Sequence, residues 1–359
     1  MTGAHDRTRR LSDHLIARID VDGPMTVAEY MTTCLTHPGL GYYTSRDPLG
    51  AAGDFTTAPE ISQMFGELIG LALAQSWLDQ GAPAHFTLAE LGPGRGTLMA
   101  DILRATRRVP GFADAARITL VEISEPLRAA QAEQLADQTV SWVKTAADLP
   151  DGPLWLVANE FFDALPIRQF TVDKGDWRER HVGLRDGRLT LGLGGPVALP
   201  ALARFEKTEG ALVELRAGAD MVMAEIEARI ATHGGAALIL DYGDWHSQGD
   251  TLQAVRGHRF AEVLDEPGTA DLTAHVDFEA LRLAAPRLDA SQMTPQGVFL
   301  ERLGITARAQ TLAKRMTGAA LTAHVAAHRR LTHPEEMGTL FKILGLVPEG
   351  ADMVPGLER

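Results

Sequence analysis

Between Leu11 and about Leu35, apolar residues fall at helical spacing, first at Leu15, Ile16 and Ile19 and again at Val27, Tyr30 and Met31, with Gly23-Pro24 between the sets. The pattern predicts two short helices. Residues 37–67, HPGLGYYTSRDPLGAAGDFTTAPEISQMFGE, then break this period, and their Gly, Pro and Asp content reads as a loop too long for a simple connection. Tyr42, Tyr43 and Phe55 supply anchors that a disordered segment generally lacks. From Ile61 to Trp77, the positions Met64, Phe65, Leu68, Ile69, Leu71, Ala72 and Ala74 are dense enough for a helix buried on most sides.

From residue 86 the rhythm becomes β-α-β-α. Strand FTLAEL (86–91) runs into GPGRG, a helix from Thr97 to about Arg108, strand RITLVEIS (117–124), a helix from Pro126 to about Ala136, SWVK (141–144) and LWLVANEFF (154–162). Near-continuous apolar strands alternating with amphipathic helices predict a parallel sheet covered on both faces. After Pro166, turn signals at Lys174-Gly175-Asp176 and Asp186-Gly187 between alternating segments predict an antiparallel β-meander. A helix from about Ala219 to Thr232 and strand AALILDYG (236–243) resume the α/β order. Residues 267–285 predict a loop, a short strand and a helix, and the tail from Ala307 to Leu346 reads as mostly helical. One α/β fold with elaborations is the simplest organisation: helices and a lid segment over 1–85, then a core over 86–359 with the meander inserted at about 167–200.

Composition removes whole classes. The 359 residues are long enough to bury a core without staples, and 45% hydrophobic with 23% charged residues is ordinary globular usage. The balance of 34 Lys+Arg against 47 Asp+Glu leaves a net charge of −13, which repels phosphate backbones and anionic lipid and favours a cationic partner. Nucleic acid is not expected as a partner. A lone cysteine, Cys34, excludes an internal disulfide and reads as a small apolar residue rather than a reactive thiol. No apolar run reaches the roughly 20 residues that span a bilayer, and the N-terminus lacks a secretory h-region, so a cytoplasmic protein without membrane insertion is expected.

The sharpest chemistry lies in LAELGPGRGTL, residues 88–98. A buried strand ending in Glu90-Leu91, followed by Gly92, Gly94 and Gly96 and then a helix, lets backbone approach a ligand where a side chain would clash. Dinucleotide sites want G-x-G-x-x-G, whose third glycine would fall at Thr97, and no G-x-x-x-x-G-K-[ST] occurs. G-x-G-x-G with an upstream acid instead resembles motif I of S-adenosylmethionine (SAM) dependent methyltransferases, the acid facing the cationic methionine end. Glu122, 26 residues past Gly96 at the end of the next strand, can accept both hydrogen bonds of a ribose diol. In ANEFFDALP (158–166), at the carboxyl end of the predicted fourth strand, Asn159, Glu160 and Asp163 are candidates for substrate contact. Two carboxylates suit a guanidinium, and they could also help accept its proton as a methyl group arrives.

With these residues in view, the sequence resembles the MidA-like methyltransferase family, whose mitochondrial members are complex I assembly factors. HPGLGYYTSRDPLGAAGDFTTAPEISQMFGE, ELGPGRG, VEIS, NEFFDALP, DYG (241–243) and PGTADLTAHVDF (267–278) carry the resemblance, which covers most of the chain. It implies a class I SAM-methyltransferase fold, a Rossmann-like doubly wound sheet, with SAM as cofactor and S-adenosylhomocysteine as product. For the mitochondrial relatives it further implies symmetric dimethylation of an arginine in a 49-kDa-type subunit of complex I, so a protein substrate is the expected partner here. Carried to this chain, the resemblance places Glu90, Gly92, Gly94, Gly96 and Glu122 on the cofactor. It makes Asp54 to Gln63, with Asp54, Phe55, Thr57, Glu60 and Gln63, a lid or wall of the cofactor site, and the strand-end residues Glu160, Asp163 and Asn159 are the expected catalytic ones. The chain reads as a bacterial relative, because no presequence precedes the homologous region.

Other readings stay open on the residues alone. The acceptor could be a small molecule or another protein side chain, or the chain could be a non-catalytic assembly chaperone that binds SAM. The meander from Arg168 to Gly195 could pair edge to edge in a homodimer, stand as an exposed hairpin or serve as a substrate platform. His324, His328 and His333 have zinc-like spacing, but H-E-x-x-H is not met, and solvated helix histidines are the better reading, so no metal is expected. Asp241-Tyr242-Gly243 could border a cleft or merely turn the chain, and Asp271, Thr273, His275 and Asp277 could line a cleft or face water.

Overall fold

A strand buried on both faces has no polar side to show, and the segment predicted around residues 86–91 is of this kind, with all six residues buried. It is the centre of a sheet in a computed structural model that describes residues 2–45 and 56–359. Seven strands form the main path of that sheet: β1 (Phe86–Leu91), β2 (Ala116–Val121), β3 (Val140–Val143), β4 (Leu154–Asn159), β5 (Gly235–Asp244), β6 (Leu288–Ala290) and β7 (Phe341–Pro348). They lie in the order β3-β2-β1-β4-β5-β7-β6. The first five are mutually parallel, and β7 runs antiparallel to both β5 and β6. The order turns back between β1 and β4, which is the switch point of a doubly wound sheet. Helices α1 (Gln63–Asp79), α2 (Thr97–Thr106), α3 (Glu125–Gln134) and α4 (Ala219–His233) alternate with the strands. Phe65, Ile69 and Leu73 of α1 and Met99 and Ile102 of α2 share one core with Leu88, Val157 and Leu238 of the strands.

These elements belong to a compact unit built from Thr56–Phe162, Asp220–Trp245 and Val276–Arg359. Two strands stop earlier than their apolar runs suggest. β2 ends at Val121 and β4 at Asn159, so Glu122 and Glu160 stand one residue beyond their strands. The tail corrects the helical expectation: helices cover Ile305–Ala313, Gly318–Thr332 and Met337–Leu340, but Phe341–Pro348 is a strand. Residues 343–347 are consecutively buried between β5 and β6, and a run buried on both faces carries no amphipathic period to separate strand from helix.

The second unit comprises Met1–Phe55, Asp163–Ala219 and His246–His275. Its helices Thr2–Asp22 and Val27–Thr36 match the two predicted, the first extending further toward the N-terminus. Thr26 and Glu29 start the second with a capping box, Glu29 N–H donating to Thr26 Oγ1 (3.2 Å) and Thr26 N–H to Glu29 Oε2 (2.8 Å). The meander is present as strands Ile167–Asp173, Asp176–Arg185 and Arg188–Pro196. Its two turns, Lys174-Gly175 and Asp186-Gly187, have positive φ at both residues, as tight hairpins with right-twisted strands require. A further strand, Leu212–Arg216, joins the same antiparallel sheet. Cys34 is buried in this unit's core, and burial pushes its thiol up to about 12, as the inert reading expects. Among the described residues, no helix is long and apolar enough to cross a membrane.

β5 begins on Gly235, whose φ is 124° and whose added Cβ would lie 1.9 Å from the Leu154 carbonyl oxygen. The Gln80 side chain fixes it further, accepting from Gly235 N–H (2.8 Å) and donating to its carbonyl (2.9 Å). Gly235→Ala is therefore expected to cost about 3 kcal/mol of stability through backbone strain and a broken β4–β5 start, read as a lower urea midpoint at unchanged m-value.

Candidate active site

The turn after β1 is shaped by three left-handed residues in five, with φ of 61° at Gly92, 53° at Gly94 and 82° at Gly96. Gly96 N–H closes the turn on the Pro93 carbonyl (2.7 Å), and α2 begins at the next residue. Space adds to this at Gly92, where a Cβ would stand 3.0 Å from Phe161 Cδ2, while one on Gly96 would make ordinary contact 3.5 Å from Gln131 Cγ.

Because Gly96 has no side chain with which to cap α2, the helix takes its cap from the strand before it. The buried Glu90 carboxylate accepts from the Met99 backbone N–H in the first turn of α2. Its Oε2 is buried without a hydrogen-bond partner, and burial pushes Glu90 up to about 8. Thr97 Oγ1, at the head of the same helix, donates to Glu60 Oε1 at 2.5 Å.

Glu122 continues the edge beyond β2, its N–H donating to the Val143 carbonyl (3.0 Å). Its buried carboxylate is already organised: Oε1 accepts from Ser124 N–H (2.7 Å) and Oε2 from Gln131 Nε2 (3.3 Å). Burial raises its pKa, and these donors oppose the shift.

Beyond β4, Asn159 and Glu160 are brought together. Asn159 Nδ2 donates to Glu160 Oε1 (3.0 Å), and Ala58 N–H reaches the same oxygen (3.3 Å). Glu160 holds φ at 53°, a left-handed conformation uncommon for a residue with a side chain, while its N–H bonds the Leu240 carbonyl (2.9 Å). Asn159 Oδ1 is buried and unpartnered. Asp241, fully buried at the end of β5, accepts the Phe162 N–H on Oδ2 (3.1 Å) and the Tyr242 N–H on Oδ1 (2.9 Å). Its carboxylate thus fixes the loop that carries Glu160.

Asp163 opens the second unit. It is buried, and its carbonyl accepts from Ala274 N–H (3.1 Å) and from Arg216 Nη1 (3.0 Å). Arg216 also donates to the carbonyls of Leu165, Ala274 and His275, each at 2.8 Å. In the same unit Tyr43 donates to Asp271 Oδ1 (2.8 Å), and burial, with the charges of Asp271 and Asp163, raises the phenol pKa. Asp271, Thr273 and Asp277 are buried rather than facing water, and in the first unit Asp277 caps a helix by accepting Ala280 N–H (2.9 Å).

Of the remaining candidates, Asp54 and Phe55 lie outside the described residues. Thr57 precedes the helix Ala58–Ile61 without a side-chain capping bond, and Gln63 is exposed at the first position of α1. His324 and His328 are held by the Ala309 carbonyl (3.0 Å) and Thr306 Oγ1 (2.9 Å), and no metal-ligating cluster occurs among the described residues. Sequence reasoning missed Gln131 and Trp142, which bond each other beside the turn, Trp142 Nε1 donating to Gln131 Oε1 (2.8 Å). The available signal was a glutamine and a tryptophan placed inside otherwise apolar faces.

Comparison with known proteins agrees with this geometry. Residues 68–296 match the model of an S-adenosyl-L-methionine-dependent methyltransferase family. The mitochondrial protein arginine methyltransferase NDUFAF7 of Rattus norvegicus is 39% identical over 365 residues, covering 93% of this chain and 84% of that protein. The Homo sapiens protein of the same name is 37% identical, with 93% and 82% covered. A crystal structure from Burkholderia thailandensis bound to S-adenosyl-homocysteine has a TM-score of 0.84 at 29% identity, covering 98% of this chain and 95% of that one. The sheet is that of a class I SAM-methyltransferase-like fold.

The residues present fit such a ligand. Glu90 keeps an unpartnered buried oxygen suited to a cationic group, and each Glu122 oxygen retains acceptor capacity for a hydroxyl. The raised Glu90 value also has a stability consequence. Between its unfolded value near 4.5 and about 8, the folded chain holds a proton that the unfolded chain has released, so stability falls as pH rises across that window and levels off above it. Glu90→Gln is expected to remove a slope of roughly 1 kcal/mol per pH unit between pH 5 and 8, checked by urea unfolding in the absence of ligand.

Proposed function

The chain belongs to the MidA-like family of S-adenosyl-L-methionine-dependent methyltransferases, and on that premise we propose that it methylates the guanidinium of a protein arginine. The observation that carries this reading is the similarity to arginine methyltransferases along 93% of the chain. As acceptor protein we propose a 49-kDa-type subunit of complex I, on the family resemblance. We propose a cytoplasmic location, supported by a single cysteine that needs no oxidising compartment.

When bound, SAM supplies a methyl group on a sulfonium, an electrophile that needs no strong base opposite it. The glycine turn from Gly92 to Gly96 and the Glu122 carboxylate would hold the donor, with the Glu90 carboxylate available to its cationic methionine group. Glu60, tied to the first residue of α2 through Thr97, walls the donor together with Thr57 and Gln63. Glu160 accepts N–H hydrogen bonds from the guanidinium and turns one nitrogen toward the methyl. Asn159, already donating to Glu160, holds that carboxylate in place. As the lone pair of the acceptor nitrogen forms the new N–C bond, the methyl–sulfur bond would break with its electron pair left on sulfur, giving S-adenosylhomocysteine, and the nitrogen would shed one proton that the Glu160 carboxylate takes before passing it to water. The rate enhancement rests on proximity and orientation.

Incubation of the purified chain with SAM and the 49-kDa-type subunit, followed by mass spectrometry, is expected to show a methylated arginine. An unmodified subunit sinks the acceptor assignment, and no modified arginine on any offered protein sinks the arginine reading. Glu160→Gln is expected to lower kcat about 100-fold or more while S-adenosylhomocysteine affinity stays within about threefold, because only the acceptor side is disturbed. Burial near a cation has a second signature: binding of SAM is expected to drive a proton off Glu90. Titration heats below pH 8 then vary with the ionisation enthalpy of the buffer, and Glu90→Gln abolishes that variation.

A further inference from the structure

The geometry points to Gln131 as a positioning residue that reads the donor's ribose indirectly, by holding Glu122 and the glycine turn in one register. The inference deepens the proposed function and rests on its assignment of Glu122 to the ribose hydroxyls. Gln131 lies in α3 and is fully buried, an expensive place for an amide unless its hydrogen bonds are made. Three are made, and their polarity is forced. An indole N–H can only donate, so Trp142 Nε1 fixes Oε1 of Gln131 toward itself at 2.8 Å. The amide nitrogen is thereby turned the other way, and its two hydrogens go to two acceptors, the Gly94 carbonyl (2.7 Å) and Glu122 Oε2 (3.3 Å).

The two acceptors belong to different parts of the donor's binding surface. Gly94 is the central residue of the turn, and Glu122 stands 28 positions later, beyond β2. Ser124 N–H holds the other oxygen of Glu122 at 2.7 Å, so the carboxylate plane is pinned at both ends. Donors at both oxygens also favour the ionised carboxylate, the only form with acceptor capacity free for two hydroxyls. Gln131 also lies beside the turn, where a Cβ on Gly96 would meet its Cγ at 3.5 Å and its Cα at 3.6 Å, ordinary contact distances. A purely apolar residue could fill the space but could not orient the acid.

The test compares S-adenosylhomocysteine with its 2′-deoxy and 3′-deoxy analogues by isothermal titration, using the full chain and the variants Glu122→Gln, Gln131→Met and Trp142→Phe. The unmodified protein is expected to bind the deoxy analogues about tenfold or more weakly, because loss of a hydroxyl removes a hydrogen bond to a buried carboxylate. Gln131→Met is expected to weaken S-adenosylhomocysteine about tenfold and to shrink the hydroxyl discrimination below about threefold, a change that general loosening of the fold would not produce. Trp142→Phe keeps an aromatic ring in place while freeing the amide to rotate, and it is expected to reduce the discrimination in the same direction. Should Gln131→Met fail to fold, Trp142→Phe decides the matter alone. Undiminished discrimination in the folded Gln131 or Trp142 variants, with discrimination lost in Glu122→Gln, overturns the role of Gln131 and leaves the ribose assignment standing. Undiminished discrimination in Glu122→Gln overturns the ribose assignment and the inference with it.

Discussion

The complete burial of β1, with β2 on one side, β4 on the other and apolar packing on its faces, is the constraint on which the site depends. A strand in that position can display polar groups only at its end, and its neighbours are under the same restriction. Glu90, Glu122, Asn159 and Asp241 accordingly all fall at the carboxyl ends of strands. An acid there is buried, and each is stabilised by backbone N–H groups of a loop or helix at that edge: Met99 for Glu90, Ser124 for Glu122, Phe162 for Asp241. These acids therefore shape the loops at the carboxyl edge of the sheet, the edge at which the proposed donor would bind.

Much of this was legible in the residues. The apolar runs of β1, β2 and β4 and the glycine turn have no competing interpretation, because continuous burial and left-handed backbone both restrict residue choice severely. The turn dipeptides of the meander were equally readable, since φ > 0 at both positions selects Lys-Gly and Asp-Gly from few alternatives. What escaped were features defined by distant partners. A glutamine in α3 reads as helix surface until Trp142 and the turn close over it. Phe341–Pro348 reads as the end of a helical tail until β5 and β6 flank it. The alternation from Asp271 to Asp277 left open whether its polar face lines a cleft or meets water, and Asp271, Thr273 and Asp277 are buried, while Arg216, an unremarkable cation in a strand, proves to gather four carbonyls.

The net charge of −13 takes on a narrower meaning beside these details. Spread over the surface of a 359-residue chain, it is screened within about 8–10 Å at ordinary ionic strength. Selection of a cation requires acids that water cannot easily reach, and Glu90 and Asp163 are of that kind. The bulk charge keeps such a protein dispersed and draws basic partners near, while a few buried oxygens decide which of them stay.

The left-handed backbone at Glu160 has a consequence for how this chain can change over time. A side chain at φ 53° costs on the order of 1 kcal/mol that glycine would not incur. Drift toward a more comfortable backbone would thus erase the carboxylate, and a chain under pressure for durability alone would end with glycine at this position. Keeping an acid there is a standing debt, tolerable only while the carboxylate is in use. On the role proposed for Glu160, position 160 becomes a marker for sorting relatives: an acid would go with a lineage still doing chemistry, and a glycine with one that has kept the fold and retired the reaction.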